Sequence, residues 1–189
     1  MRKMNLQLFE TPQTGIVGRH QHPGYINVAA SGTSSATYEL LGFGVTQLDD
    51  SPSAQPTSKR YVNQKSATQS IGSYEWTAPL EFDLIRSEKA IEFISNIGER
   101  ELTGKDAETD YVIVYLEKPA KTPEGSFEAK RRRVAVEISE FSDNDGEIQG
   151  SGNLLGVTDW EFGTFDTKTK TFTSGGAAAA SVKTMTKKA

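Results

Sequence analysis

The sequence predicts a mainly β fold: a β-sandwich or barrel-like body with one flanking α-helix at about 87–97 and a long projecting hairpin loop at 49–70. Three observations predict it. The stretch 72–85 alternates strictly between apolar and polar residues, which is the period of a half-buried strand. Seventeen glycines accompany many Ser and Thr residues. Only one segment has a convincing helical period, and this balance favours a β-rich architecture.

Composition divides the chain into three parts. Residues 1–36 are polar with isolated apolar positions, which predicts a flexible N-terminal arm that orders only against something else. Residues 37–173 form the predicted β domain. Residues 174–189 are low in complexity and basic, which predicts a flexible C-terminal tail.

The domain opens with a predicted strand at 38–48, in which Leu41, Phe43 and Val45 share one face. The polar stretch 49–70 follows and contains two prolines. A connection of this length inside a domain is uncommon, and such connections more often have a function or bind a partner than serve only as links. We therefore expect it to form the tip of a long hairpin that projects from the body and meets a partner.

The central strand is predicted at 71–85. Its apolar face consists of Tyr74, Trp76, Ala78, Leu80, Phe82 and Leu84. Its polar face carries Glu75, Glu81 and Asp83, and Pro79 on that face indicates a bulge, a bend or a sheet edge. Such a face is most often an ordinary surface exposed to solvent. The alternative is that it faces a molecule that moves past it in water.

The helix follows the central strand. Ala90, Ile91, Ile94 and Ile97 form its apolar stripe. Ser87 is the predicted N-cap and Gly98 the predicted stop. Beyond the helix, the sequence predicts a buried strand at 111–116, a hairpin from 127–141 to 147–154, and a second hairpin over 160–173.

Several function classes do not fit the composition. The net charge of −4 disfavours a general nucleic-acid binder, and the absence of cysteine excludes disulfides and thiolate metal sites. The N-terminus has no apolar leader region, and no apolar run is long enough to span a membrane. We therefore expect a soluble protein made in the cytoplasm, without a membrane partner.

No catalytic, cofactor or metal site is predicted. His20 and His22 form a His-x-His pair without an indicated third ligand, and no nucleophile has a base in a recognisable context. The acidic stretches 106–110 and 143–147 do not have the spacing of a calcium loop. We therefore expect a protein that is not an enzyme.

With these segments in place, the sequence resembles the major tail proteins, or tail tube proteins, of long non-contractile-tailed bacteriophages of Gram-positive hosts. The resemblance rests on SKRYVNQKSATQSIGSYEWTAPLEFDLIRSEKAIEFISNIGERELTGKDAETDYV, on EIQGSGNLLGVTDWEFGTFDTKTKTFT and on the opening NLQLF. It covers roughly residues 37–173. It implies a body with a flanking helix that assembles into hexameric rings, and these rings stack into a tube.

The resemblance also implies roles for segments. Strands 38–48, 71–85, 131–142 and 147–156 would line the tube, and the loop 49–70 would reach the adjacent ring. The partners would be further copies of the chain and the tape-measure, tail-terminator and distal tail proteins. DNA would cross the lumen without specific binding, and the protein would be located in the virion tail after assembly in the bacterial host cytoplasm.

Two groups of residues are candidates under this interpretation. An acidic lumen wall would repel phosphates, so that DNA slides through. Its candidates are Glu75, Glu81, Asp83, Glu39 and Glu137. Candidates for contacts between rings or subunits are Lys59, Arg60, Tyr61, Lys65, Arg131, Arg132 and Arg133.

Two alternatives remain open at this point. The basic run 130–133 fits subunit-to-subunit salt bridges, a solvated edge that deters aggregation or, least well, a nucleic-acid patch. The chain as a whole could instead be a non-polymerising β-sandwich that binds a ligand or decorates a capsid. Such a module would use the loop 49–70 or the hairpin 160–173 for recognition.

Overall fold

The computed structural model describes residues 15–29, 35–120 and 125–175. Within these ranges the chain is mainly β, with one α-helix, as the sequence predicts. The strands are β1 (Gly24–Asn27), β2 (Tyr38–Leu41), β3 (Val45–Leu48), β4 (Ala54–Lys59), β5 (Thr68–Tyr74), β6 (Thr77–Asp83), β7 (Glu108–Pro119), β8 (Ser126–Asn144), β9 (Glu147–Gly156), β10 (Glu161–Asp166) and β11 (Thr171–Ser174). The helix α1 is Lys89–Glu99, and short 3₁₀ turns lie at Arg19–Gln21 and Gly104–Ala107.

One antiparallel sheet organises the body. Its strands follow the order β2-β1-β7-β8-β9-β6-β3, and β10 pairs with both β8 and β11. Strand β8 has 19 residues and is roughly 60 Å long. Its first half pairs with β7 and β10, and its second half pairs with β9. β8 therefore connects two different regions of the sheet.

The sheet folds back on itself around the main core. Buried residues from β1, β2 and β7 share one cluster with buried residues from β6 and β9. Those two groups of strands lie on opposite sides of β8 in the strand order, so the cluster is enclosed between them. The predicted β-sandwich-like class is thereby confirmed.

The predicted strand 38–48 is interrupted at 42–44. Its first part, β2, is one end of the strand order, and its second part, β3, is the other. Gly44 has φ of +82°, and an added Cβ would lie 2.7 Å from Ile91 Cδ1, so this corner requires glycine. Alternation alone did not reveal the corner, because the apolar parity continues through the exposed Phe43.

The predicted strand 71–85 also divides. β5 belongs to a separate two-stranded sheet with β4, whereas β6 lies inside the main sheet between β9 and β3. The predicted apolar face holds from Trp76 to Phe82, all of whose apolar members are buried. The prediction is wrong for Tyr74, which is 61% exposed because it lies on the separate hairpin.

Helix α1 covers the apolar face of the sheet, as predicted. Ala90, Ile91, Ile94 and Ile97 are all buried in the main core. The predicted ends differ, because the N-cap is Glu88 and Gly98 lies within the helix. An added Cβ at Gly98 would lie 2.7 Å from Ile138 Cβ, so this glycine permits close packing of α1 on β8.

A second cluster lies on the other face of β1 and β7. Phe165 of β10 is fully buried, and its ring centroid lies 4.6 Å from that of Tyr25 and 5.7 Å from that of Tyr38. Val112 and Val114 complete the contact from β7. The predicted hairpin over 160–173 corresponds to β10 and β11, and it serves as a cover for this face.

The predicted N-terminal arm is wrong for residues 24–27. These residues form β1, which pairs with β2 on one side and β7 on the other, and Ile26 is fully buried. The sequence Gly-Tyr-Ile-Asn does not alternate between apolar and polar residues, so it did not indicate a strand. Residues 1–14 and 30–34 of the predicted arm, and residues 176–189 of the predicted tail, lie outside the described residues.

Phe82→Ala should lower the free energy of unfolding by about 3–5 kcal/mol, because it leaves a cavity in the main core. Phe82 is fully buried and its ring lies against Gly150. Urea denaturation would show a lower midpoint with an unchanged slope. Phe43→Ala is the matched control, since Phe43 is 74% exposed, and should change the free energy by less than about 0.5 kcal/mol. Equal losses in the two variants would contradict this core assignment.

Candidate functional site

A polar face extends over β3, β6, β9 and the second half of β8. Each strand turns alternate side chains to this face, and pairing aligns them in rows across the sheet. One row contains Gln47, Glu81, Ser151 and Glu140, and the neighbouring row contains Asp83, Gln149 and Ser142. The opposite side chains, such as Leu80 and Leu154, enter the main core.

Three predicted carboxylates lie on this polar face. Glu81 and Glu137 are exposed and Asp83 is partly buried. Asn153 donates to Glu137 Oε2 at 2.8 Å, and Gln149 donates to Asp83 Oδ1 at 3.3 Å. No Lys or Arg occupies the face positions of these described strands, and none of the three carboxylates forms an ion pair with another described residue. The face therefore carries uncompensated negative charge.

Glu140 is a further carboxylate of the polar face that sequence reasoning missed. Strict alternation places it on the side opposite Glu137. A β-bulge between Ile138 and Glu140 leaves Ser139 without a partner in β9 and turns Glu140 to the side of Ser151. The signal in the sequence was the shift of the apolar spacing from two residues to three between Ile138 and Phe141.

Glycine makes room for this bulge. An added Cβ at Gly152 would lie 1.9 Å from the backbone oxygen of Glu137, which no side chain tolerates. Gly152 pairs with Ile138 at the start of the bulge. The position of Glu140 therefore depends on a glycine of the facing strand.

Glu75 lies beside the polar face, in the two-residue link between β5 and β6. Its side chain is exposed and accepts a hydrogen bond from Gln55 Nε2 at 3.1 Å. Gln55 belongs to β4, so Glu75 contacts the base of the separate hairpin. Its role in a lumen stays a prediction.

Glu39 is remote from the other candidates. It lies on β2, at the opposite end of the strand order, where it forms ion pairs with Lys170 and, at 3.6 Å, with Lys89. The hydrogen bond from Lys170 lowers the pKa of Glu39. A paired carboxylate on a different strand does not belong to the polar face.

Glu39→Gln should destabilise the protein at neutral pH but not in acid. Since the folded state lowers the pKa of Glu39, its stabilising effect is present above the unfolded pKa and is lost as pH falls through the folded pKa. Denaturation midpoints measured across the acid range would therefore converge for the variant and the wild type. Glu81→Gln, which removes an unpaired carboxylate, is the control. A constant difference in denaturation midpoint between Glu39→Gln and the wild type down to low pH would contradict the stabilising role of the paired Glu39 carboxylate.

Two strand edges bound the polar face. β3 pairs with β6 on one side, and its outer edge has no strand partner among the described residues. Beyond Ala135, the edge of β8 opposite β9 likewise has no strand partner in the described part of the chain. Because β3, β6, β9 and β8 are successively antiparallel, these two outer strands run in opposite directions.

The predicted projecting hairpin consists of β4 and β5, joined by residues 60–67. Almost every side chain in it is exposed. Lys59, Arg60, Tyr61 and Lys65 lie at its tip, and none of the three cations is ion-paired within the described ranges. Val62 and Ile71 add exposed apolar surface. The hairpin is thus a separate projection without a packing partner in the described chain.

The arginine run has partners within its own chain. Arg131 donates to Glu161 through two nitrogens at 3.0 and 2.5 Å. Arg133 donates to Glu108 at 2.8 Å and lies 3.8 Å from Asp110. These contacts pair the strands β7, β8 and β10, so the structure gives these cations a role inside the subunit.

Arg132 packs against both tryptophans of the chain. Its guanidinium carbon is 4.9 Å from the ring centroids of both Trp76 and Trp160, and the two indoles meet edge to face at 5.1 Å. Burial lowers the pKa of Arg132. Trp76 lies in the link that follows the last hairpin strand, β5. Its contact with Arg132 therefore joins the base of the hairpin to β8.

The comparisons with known proteins found similar chains among solved structures. No family model matches the chain, and no curated protein matches it. Among solved structures, it is similar to a sheath/tube terminator of an extracellular contractile injection system, PVC, in the extended state, with 8% identity, a TM-score of 0.46, and coverage of 78% of this chain and 96% of that chain. It is also similar to a chain of the sheath–tube complex of that system, with 11% identity, a TM-score of 0.43, and coverage of 80% and 93%.

These likenesses are weak. With identities of 8% and 11% and TM-scores under 0.5, they decide neither the fold nor the role of this chain. Both structures come from a contractile system. The resemblance to non-contractile tails of phages of Gram-positive hosts therefore stays a prediction.

The predicted His-x-His pair is divided between different surroundings. His22 lies 3.0 Å from Glu117 Oε1 and edge-on to Tyr115, whereas His20 faces the space beside β2 and β3. No group of three candidate metal ligands exists among the described residues. No helix of the described ranges has the length and apolar character to cross a membrane.

Proposed function

We propose that this chain is a structural tail protein that assembles into hexameric rings, and that these rings stack into the tube of a phage tail or a phage-derived tail particle. The observation that carries the proposal is the polar face, a four-stranded surface bounded by two outer edges without strand partners among the described residues. Such edges are a liability in a free subunit, and assembly would bury them.

The direction of the two edges suits a closed ring. Rotation about an axis along the tube preserves strand direction, so β8 of one copy would lie antiparallel to β3 of the next. This contact joins two different surfaces, and a contact of that kind forms rings when its rotation closes. The closed ring would be a continuous barrel with four strands from each copy. Six copies per ring is the number that the sequence resemblance implies.

The charge of the polar face suits a conduit for DNA. Glu81, Asp83, Glu137 and Glu140 project from it without a neighbouring cation on the face positions of the described strands. A wall of carboxylates repels phosphates, so DNA would pass during ejection without adsorbing. The face would therefore line the lumen, and the main core and α1 would lie outside it.

The hairpin β4–β5 would connect rings along the tube. It is exposed on nearly every side chain and ends in Lys59, Arg60, Tyr61 and Lys65. Beyond itself, the chain would meet the tape-measure, tail-terminator and distal tail proteins in the virion. The proposed role is structural, involves no catalysis or cofactor, and places assembly in the host cytoplasm.

Sedimentation velocity over a wide concentration range tests the proposal. A tube protein gives small species at low concentration and large polymers above a threshold. A single small species at every concentration, including after prolonged incubation with purified tail-initiating proteins, would instead support the binding or capsid-decorating module.

A further inference from the structure

The hairpin β4–β5 leaves the polar face at one end. It continues from β3 and β6, which are neighbours in the main sheet, and Ser51 bridges to Thr77 just before it begins. Thr77 is the first residue of β6, so the hairpin starts at that end of the strand. From Ala54 to Val62 the chain can extend roughly 26 Å, since each strand residue adds about 3.3 Å. The hairpin is therefore long enough to reach beyond its own subunit to an adjacent ring.

A groove of about 460 Å³ lies at the opposite end of the polar face, where β6 stops and β9 begins. Leu84, Ile85 and Ile148 form its apolar wall, and Asp83 and Glu147 complete the lining. The backbone N–H of Leu84 donates to the backbone oxygen of Ile148 at 2.8 Å, which joins the two sides of this end groove. These lining residues belong to β6, to β9 and to the segment after β6. The end groove is therefore separate from the outer edges of β3 and β8, which would join copies within one ring.

We propose that the end groove receives the hairpin tip of a copy in the adjacent ring, with Tyr61 and Val62 against its apolar wall. This contact rests on the proposed tube, because it forms only between stacked rings. The hairpin and the end groove lie at opposite ends of β6, so each ring would present hairpins on one side and grooves on the other. A contact between two such different surfaces repeats without limit when successive copies keep one direction.

The apolar side chains at the two surfaces match. Val62 is fully exposed, Tyr61 is 61% exposed and, in the end groove, Ile148 is 53% exposed. The backbone N–H of Gln64 donates to the backbone oxygen of Tyr61 at 3.0 Å, so a turn presents the first two side chains at the tip. Since liquid water occupies about 30 Å³ per molecule, the groove has room for about fifteen waters, which two side chains can displace. The contact would remove apolar surface from water on both copies.

The charges of the two surfaces are complementary. Lys59 and Arg60 at the hairpin tip form no ion pair with another described residue. Asp145, in the turn before β9, and Glu147 are exposed and likewise have no ion-pair partner in the described ranges. Arg86, the cation that follows the groove residues along the chain, is already paired with two glutamates of α1. Opposite charges would therefore meet across the junction between rings and fix the register of the contact.

Cross-linking between two cysteine variants tests the contact, because the chain has no cysteine. Equal amounts of Val62→Cys and Ile148→Cys are assembled together, collected as polymer and mildly oxidised, so that a disulfide between these two positions joins different chains. Val62→Cys with Val157→Cys is the matched control, since Val157 is 48% exposed but follows β9 at the end nearest the hairpin base. We expect at least about tenfold more linkage to position 148, because a disulfide requires Cβ atoms about 4 Å apart. Peptide mapping by mass spectrometry would measure the yield.

Charge exchange provides a second measurement, which decides the matter where the cysteine variants do not assemble. Lys59→Glu, Arg60→Glu should raise the critical concentration about tenfold or more, and so should Asp145→Lys, Glu147→Lys, because each places like charges across the junction. All four substitutions in one chain should restore assembly.

Preferential linkage at position 148, or restored assembly in the fourfold variant, supports the contact. Polymers that link Val62→Cys equally to both positions, or a fourfold variant as defective as its parents, would overturn the contact and leave the tube intact. A wild type that forms no polymer even with tail-initiating proteins present would overturn the tube and the contact together.

Discussion

Proline at Thr46 or at Ser139 is expected to stop polymerisation while leaving the subunit folded. Each residue lies at a β-bulge on a strand that bounds the polar face, and neither pairs with the inner neighbouring strand. Proline is tolerated at bulges and edges, but it cannot donate a hydrogen bond to the next subunit. A lost backbone hydrogen bond that leaves its partner buried costs about 1–3 kcal/mol. The critical concentration should therefore rise about tenfold or more.

Pelleting assays at a series of concentrations would measure this effect. Thr46→Ala and Ser139→Ala are the matched controls, because they keep the backbone N–H and should polymerise like the wild type. Thermal unfolding of dilute subunits checks that the proline variants remain folded. Wild-type critical concentrations in both folded proline variants would exclude edge pairing through β3 and β8.

Charge reversal of the polar face should convert a tube that does not retain DNA into one that binds it. The variant Glu81→Lys, Glu137→Lys, Glu140→Lys replaces three carboxylates that form no ion pair among the described residues. Each subunit then presents three cations to the lumen, and phosphate contacts of this kind strengthen DNA binding steeply at low salt. We expect retention of a short duplex to rise about a hundredfold or more and to disappear at high salt.

Co-sedimentation of assembled tubes with labelled duplex would measure retention. The control Glu101→Lys, Asp106→Lys adds cations at exposed positions that lie outside the polar face. Glu81→Gln, Glu137→Gln, Glu140→Gln separates loss of repulsion from gain of attraction. Equal retention by the face variant and the surface control would contradict the assignment of the polar face to the lumen.

The sequence predicted those features that depend on local period. The stretch from Trp76 to Phe82 alternates because one side of β6 enters the core, and α1 shows its apolar stripe for the same reason. The hairpin of β8 and β9 was predicted because its Asp143-to-Gly146 turn separates two alternating segments. In each case the residues of the element itself were sufficient to predict it.

Features that depend on contacts between distant segments were not predictable in this way. β1 is buried because β2 and β7 flank it, and its four residues contain no pattern of their own. The candidate face lost Glu39 because the corner at 42–44 places β2 at the other end of the strand order from β3. It gained Glu140 because the bulge at Ser139 changes the parity of β8. The partners of Arg131 and Arg133 lie on other strands, so the run of cations alone could not identify them.

A cryo-electron microscopy reconstruction of the polymer formed by concentrated protein would show directly whether the polar face lines a lumen. We expect a hollow tube of sixfold rings, with β8 of one copy beside β3 of the next and Glu81 directed into the lumen. A polymer with the polar face directed outwards, or compact particles of one size under conditions in which tail-initiating proteins are present, would contradict it.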